Sequence, residues 1–138
     1  MNFDQQLDIY LRSRFTLIVL VTREEERLLE QVRLLCEKTQ RPCLTWDVAD
    51  DFTWLANPTG NLPKARDPIT ALDQIDNFDD RKNTIFILKD FHDSWTNPQV
   101  KRKLRSVSQR LKFTKKCIFV TTPANMVPDE LKNEIVLF

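Results

Sequence analysis

The side chains best suited to chemistry are aspartates gathered just after two short apolar runs. Asp47, Asp50 and Asp51 follow the run beginning at Cys43, and Asp90 and Asp93 follow NTIFILK, with the single histidine, His92, between them. Divalent cations such as Mg2+ or Mn2+ take several oxygen ligands, so carboxylates converging from neighbouring strand ends could hold one for hydrolysis. On that reading Asp47, Asp50 and Asp90 are candidate ligands of a small metal-dependent hydrolase or nuclease. The run ending at Asp90 has the hydrophobic-strand-then-Asp shape that holds magnesium in nucleotide hydrolases. However, Phe91 stands where an acid should activate water. Strand-end aspartates also cap helices and turns, and this is the plainer expectation. His92 as a catalytic base has no serine or cysteine that the sequence can set beside it.

Three further constellations stand out. Glu24, Glu25 and Glu26 after the first strand, Asp90 after the third and Thr121 at the end of the fourth are spaced as in a response-regulator receiver domain. That arrangement also needs a lysine after the fifth strand and a closing helix, and the sequence to Phe138 supplies neither. Lys101, Arg102, Lys103, Arg105, Arg110, Lys112, Lys115 and Lys116 surround the apolar positions Val100, Leu104, Val107 and Leu111. They form the outer face of a helix, which could neutralise phosphates. Base-stacking aromatics are missing apart from Phe113, so a solvated face or an acidic protein partner is favoured over nucleic acid. Trp54, Leu55 and Trp95 fall in segments that read as irregular, where large apolar side chains either cover the core or anchor an interface. The candidate partner-facing residues are therefore Trp54, Leu55, Lys89, Asp90, His92, Trp95, Lys101, Arg102 and Arg105.

Alternating strands and helices position these groups. A first helix over Asn2–Leu11 precedes an apolar strand, Phe15–Val21. Thr22 with Glu25 reads as a capping box that starts a helix running to about Thr39. Strand Cys43–Val48 follows, then an irregular stretch from Asp50 to Arg66. Asp67-Pro68 and Asn97-Pro98 each read as a cap followed by proline at the first helical position. Asn83–Leu88 and Cys117–Thr121 are the third and fourth strands, and Pro123–Lys132 is a loop with one helical turn. Ile135–Phe138 is a fifth strand. The pattern implies right-handed βαβ units and a three-layer αβα domain over residues 1–138, with five mainly parallel strands. Two strand orders fit, 2-3-4-1-5 as in P-loop domains and 2-1-3-4-5 as in flavodoxin-like ones.

Composition sets the limits. The 138 residues are 41% hydrophobic and 30% charged, as in a globular chain with a packed core, and the net charge is +1. Charge is unevenly spread: Asp47–Asp80 carries eight acids against two bases, and Asn97–Lys116 carries eight bases and no acid. The one glycine, Gly60, lies far from the first strand. A phosphate-cradling loop needs several glycines so that backbone amides can approach the anion, which excludes one here. The odd count of cysteines, Cys36, Cys43 and Cys117, without a C-x-x-C pair, predicts buried free thiols. No run reaches the roughly 20 apolar residues of a membrane helix. No secretory leader is recognisable.

Four stretches together resemble a known family: L-x-x-x-L-R-S-R-F-T-L-I-V-L-V-T-R-E-E-E-R from Leu7, L-T-W-D-V-A-D from Leu44, I-F-I-L-K-D-F-H from Ile85 and P-D-E-L-K-N-E-I from Pro128. They are similar to the N-terminal region of an AAA-type ATPase family of cyanobacteria, other bacteria and some plastids, the hypothetical chloroplast reading-frame AAA protein family. The resemblance runs from about Leu7 to Phe138. It implies a degenerate P-loop-type domain, which favours the order 2-3-4-1-5. It also implies that the Walker motifs, the arginine finger, ATP and Mg2+ belong to a downstream domain, so this segment has no cofactor and no catalytic residue of its own. Arg23, Glu25, Glu26, Arg27, Lys89, Asp90, Phe91 and His92 match the family's pattern without an assigned role. Asp51 departs from it, standing where a glycine is expected. The implied function is a recognition or regulatory module coupling the AAA core to a partner protein, with oligomerisation left to the core. The implied location is the cytoplasm, or the stroma for a plastid-encoded member.

Overall fold

A computed structural model describes residues 2–123, 127–131 and 135–137. Six strands form one sheet in the order β3-β2-β4-β5-β1-β6. They are β1 (Leu17–Val21), β2 (Cys43–Asp47), β3 (Asp51–Ala56), β4 (Ile85–Leu88), β5 (Cys117–Thr122) and β6 (Ile135–Leu137). Four helices accompany them: α1 (Phe3–Arg12), α2 (Glu25–Thr39), α3 (Pro68–Asn77) and α4 (Pro98–Arg110). Set β3 aside and the order is 2-3-4-1-5, the P-loop type. The predicted reach of the last strand to Phe138 lies outside the described residues.

The three layers follow from period-two alternation along apolar strands. Leu17, Val19, Leu44, Trp46, Phe86, Leu88, Ile118 and Val120 project to one face, where Leu72 and Ile75 of α3 and Leu104 and Val107 of α4 cover them. Ile18, Leu20, Cys43, Ile85, Ile87, Cys117 and Phe119 project to the other, beneath Leu7 of α1 and Leu28, Val32 and Cys36 of α2. The three cysteines are free and buried. Burial, and then the neighbouring Cys36 thiol, push Cys43 well above the ordinary thiol range.

β3 corrects the expected count of five strands and the irregular reading of Asp50–Arg66. It pairs antiparallel with β2, Asp47 opposite Asp51, leaving a three-residue turn. Such turns usually close on a residue in the left-handed conformation, most often glycine. Asp51 takes that role with φ 62°. Its Oδ1 accepts hydrogen bonds from the amides of Phe52 at 2.7 Å and Ala65 at 2.9 Å. The carboxylate thus ties the long loop before α3 back to the edge strand, which a glycine could not do.

The capping box expected at Thr22 and Glu25 is not formed. The N-cap of α2 is Glu24, without a side-chain cap bond. Thr22 Oγ1 accepts the Glu24 amide at 3.0 Å, a local turn, and Glu25 is drawn to a tertiary partner instead. A capping box does form at α1, where Asn2 and Gln5 satisfy each other's backbone amides. The proline-led starts of α3 and α4 are as expected, capped by Asp67 and Asn97.

Candidate functional site

The parallel strands β1, β2, β4 and β5 bring their carboxyl ends to one edge, where an open α/β sheet ordinarily holds its ligand. Strand order decides which side chains meet there. β5 lies between β4 and β1, so Thr121 stands between the two loops in which a nucleotide hydrolase keeps its phosphate loop and its magnesium aspartate. Thr121 Oγ1 donates to Glu25 Oε2 at 3.0 Å and accepts the Asp90 amide at 3.2 Å. Asp90 itself is left-handed, φ 53°, at the start of the turn that follows β4. A three-member relay thus crosses the first-strand turn and closes it with a carboxylate. Of the receiver-like constellation, the structure brings together Glu25, Asp90 and Thr121.

Beside the relay, a cleft of about 400 Å³ opens over the ends of β2 and β4, lined by Asp47, Asp50, Lys89, Asp90 and Asp93 among others. Asp47 Oδ2 pairs with Lys89 Nζ at 3.1 Å, each side chain 19% exposed. Its Oδ1 accepts the amides of Ala49 at 2.9 Å and Asp50 at 2.7 Å. Burial alone would raise the Asp47 pKa. The Asp50 amide, the Lys89 ammonium and the Ala49 amide outweigh it, and the carboxyl lies below the usual range. Both oxygens are therefore committed to the hairpin turn and to Lys89, and Asp50 is exposed at the tip. No group of three potential ligands converges among the described residues. The Asp47, Asp50 and Asp90 metal reading thus has no geometric support.

The other candidates divide. Trp95, 1% exposed, packs in the core near Trp46 and Phe91. This corrects its reading as an anchor. Trp54 and Leu55 are half-buried on β3 and pack toward opposite faces of the sheet, so they do not share one patch. His92 Nε2 lies 3.4 Å from Asp93, and its Nδ1 is buried without a partner.

The basic helix is not a uniform outer face. α3 packs against α4, and its acids take up part of the charge: Asp73 pairs with Lys103, and Asp76 with Arg110 at 2.9 Å. Lys116 is buried, its ammonium donating to the carbonyls of Ile75 at 2.7 Å, Asp76 at 3.0 Å and Phe78 at 2.9 Å. Lys101 and Arg105 are half-buried, and Arg102 is exposed. The sequence showed the two opposite charge runs, but not that they are neighbours. It also separated Glu25 from Thr121 by most of the chain, and only the strand order joins them.

Comparison with known proteins agrees with this architecture. The family model described as SpoVK-like AAA ATPase, N-terminal domain matches residues 3–138. An "Uncharacterized AAA domain-containing protein ycf46" of Pyropia yezoensis is 37% identical over 99% of this chain and 27% of its own length. The protein of the same name from Trieres chinensis is 30% identical over the same shares. The chain thus spans about a quarter of these relatives. A solved structure titled as a DNA replication initiation factor superposes with a TM-score of 0.59 at 11% identity, over 96% of this chain and 43% of that one, a likeness of fold alone. No helix among the described residues is long and apolar enough to cross a membrane. With a P-loop strand order and a family match over nearly its whole length, the chain belongs to the SpoVK-like AAA ATPase N-terminal domain family.

Proposed function

We propose that residues 1–138 form one non-catalytic recognition module at the amino terminus of a AAA ATPase, coupling its core to a partner protein. The observation that carries this is the Glu25–Thr121–Asp90 relay. A nucleotide phosphate in the turn after β1 would meet the Glu25 carboxylate, with no glycine-rich backbone to cradle it and an acidic cleft alongside. ATP and Mg2+ then belong to the downstream domain of the parent protein. Oligomerisation belongs there too. The module works in the cytoplasm, or in the stroma where the gene is plastid-borne.

The docking surfaces for the core and the partner are the cleft rim at Lys89 and Asp90 with the adjoining turn at His92, the two faces of β3 at Trp54 and at Leu55, and the α4 face at Lys101, Arg102 and Arg105. Nucleic-acid binding through α4 is disfavoured because Lys103, Arg110 and Lys116 are already engaged by α3 and its cap.

Two measurements test the reading. ATP with Mg2+, added to this chain, is expected to leave the amides of Thr22–Glu25 and Asp90 unshifted in NMR spectra and to show no turnover. Saturable shifts there that Glu25→Ala removes would refute it. In a full-length family member, deleting the module should leave basal ATP turnover intact and abolish its response to the partner. An unchanged response would refute the coupling.

A further inference from the structure

We propose that the opposite, amino-terminal edge of the sheet carries a phosphate-binding site built from Arg14, Arg41 and Lys115. A cavity of about 190 Å³ lies there, between the ends of α1 and α2 and the starts of β4 and β5. Arg12, Arg14, Arg41, Asn83 and Lys115 line it over a floor that includes Ile85 and Cys117, and no carboxylate lines it. Two nearby cations are spoken for: Arg12 pairs with Asp8 at 2.8 Å, and Lys116 turns to the α3 carbonyls. Arg14, Arg41 and Lys115 have no ion-pair partner among the described residues.

Arg41 gives the strongest pointer. Its Nε is buried and makes no hydrogen bond. A desolvated guanidinium N–H without an acceptor is costly. An oxyanion in the cavity would meet the guanidinium at its two terminal nitrogens, which are not buried, and would offset that cost by neutralising the charge. The fork of a guanidinium matches two phosphate oxygens, and the Lys115 ammonium serves a third.

Arg14 is the second, independent pointer. α1 ends in a Schellman turn, with Arg14 N–H bonded to Leu11 O at 3.1 Å and Phe15 N–H to Tyr10 O at 3.2 Å. Arg14 occupies the left-handed position of that turn, φ 62°, where glycine is usual. Arg41 follows Gln40, left-handed at φ 57°, in the matching turn of α2, with its N–H on Cys36 O at 2.9 Å. Two helix ends thus hold two arginines by their backbones at one cavity. A cation at a helix C-terminus is favourable to the dipole on its own, but that leaves the buried Arg41 Nε unexplained. Phe113, 92% exposed, stands just before Thr114, another lining residue, and offers a ring on which the base of a nucleotide could stack.

This site is independent of the module reading. The test is an NMR titration of the 138-residue chain with inorganic phosphate, and separately with AMP, at ionic strength held constant with chloride. Saturable shifts confined to the surroundings of Arg14, Arg41, Asn83 and Lys115 are expected. Arg41→Gln should weaken binding about ten-fold, the loss of a charge-assisted fork. Arg14→Gly should weaken it several-fold while the melting temperature holds or rises, because glycine suits the turn. That separates lost binding from lost folding. Tighter binding of AMP, with the excess removed by Phe113→Ala, identifies a nucleotide as the source of the phosphate; equal affinities identify the free anion. Shifts that stay linear, or Arg41→Gln binding as the parent does, would overturn the proposal.

Discussion

Replacing Lys116 with methionine keeps the apolar stem and removes the ammonium. That ammonium reaches the carbonyls of Ile75, Asp76 and Phe78 at 2.7, 3.0 and 2.9 Å, and Asp80 at 2.8 Å. It acts as the C-cap of α3, a role ordinarily left to backbone amides of a glycine turn. Ile75 O would keep the Phe78 amide as a partner. The Asp76 and Phe78 carbonyls would be left under-satisfied, at roughly 1–3 kcal/mol each. Relief from burying the ammonium offsets part of this. The net destabilisation is about 2–4 kcal/mol. At about 3 °C per kcal/mol for a chain of this size, the melting temperature should fall by about 6–12 °C. Calorimetry and urea titration at neutral pH would measure both. Asp80→Asn is the control: its side chain is 61% exposed, so losing that ion pair should cost under about 1 kcal/mol. A Lys116→Met cost below about 0.5 kcal/mol, or an Asp80→Asn cost equal to it, would refute the cap.

Four further outcomes are expected. Thr121→Val keeps the shape and breaks the relay, costing about 1–3 kcal/mol and speeding amide exchange at Asp90; unchanged exchange would contradict the bond geometry. Asp51→Ala should be more destabilising than Asp51→Gly by about 1 kcal/mol, since both lose the Ala65 bond but only alanine keeps the left-handed strain; urea midpoints in the reverse order would count against it. The pKa values of Asp47, Asp67 and Asp79 are lowered, Asp79 to about 2 through its hydrogen bonds with Arg81. Groups depressed in the folded state stabilise above their unfolded pKa, so urea midpoints should hold from pH 7 to about 4 and fall toward pH 2. Thiol labelling of Cys36, Cys43 and Cys117 should follow global unfolding rather than pH alone, because all three are buried; fast labelling of the native chain would argue otherwise.

The parallel strands were legible because each is mostly apolar and free of charge until its carboxyl end, as burial on both faces demands. The edge strand β3 was not. Asp51–Ala56 is mostly half-buried rather than an apolar run and is flanked by turn formers, so it reads as loop until β2 is present to pair with it. The T-x-x-E signature at Thr22 gave way to a tertiary bond: Glu25 finds a hydroxyl on β5, a partner no local pattern announces. Trp95 lies in a segment that reads as irregular, which left core packing and interface anchoring both open, and the 3-10 turn Phe91–Asp93 folds it inward. The charge asymmetry was plain in the sequence, but its meaning depended on α3 lying against α4. The strand-end acids were located correctly at the sheet edge. What their carboxylates do there, as when Asp47 binds backbone amides and Lys89, is decided by orientation, which sequence does not carry.

β1 occupies an unusual place in time as well as in space. Among the described strands it comes first in sequence, yet its two neighbours in the sheet, β5 and β6, come last. As the chain leaves the ribosome, Leu17–Val21 must wait until β5, which begins at Cys117, has emerged before either flank can be paired. β2, β3 and β4 can meanwhile assemble among themselves. The sheet therefore closes around β1 only after β5 and β6 have been made, so the apolar flanks of Leu17–Val21 stay open longest during folding.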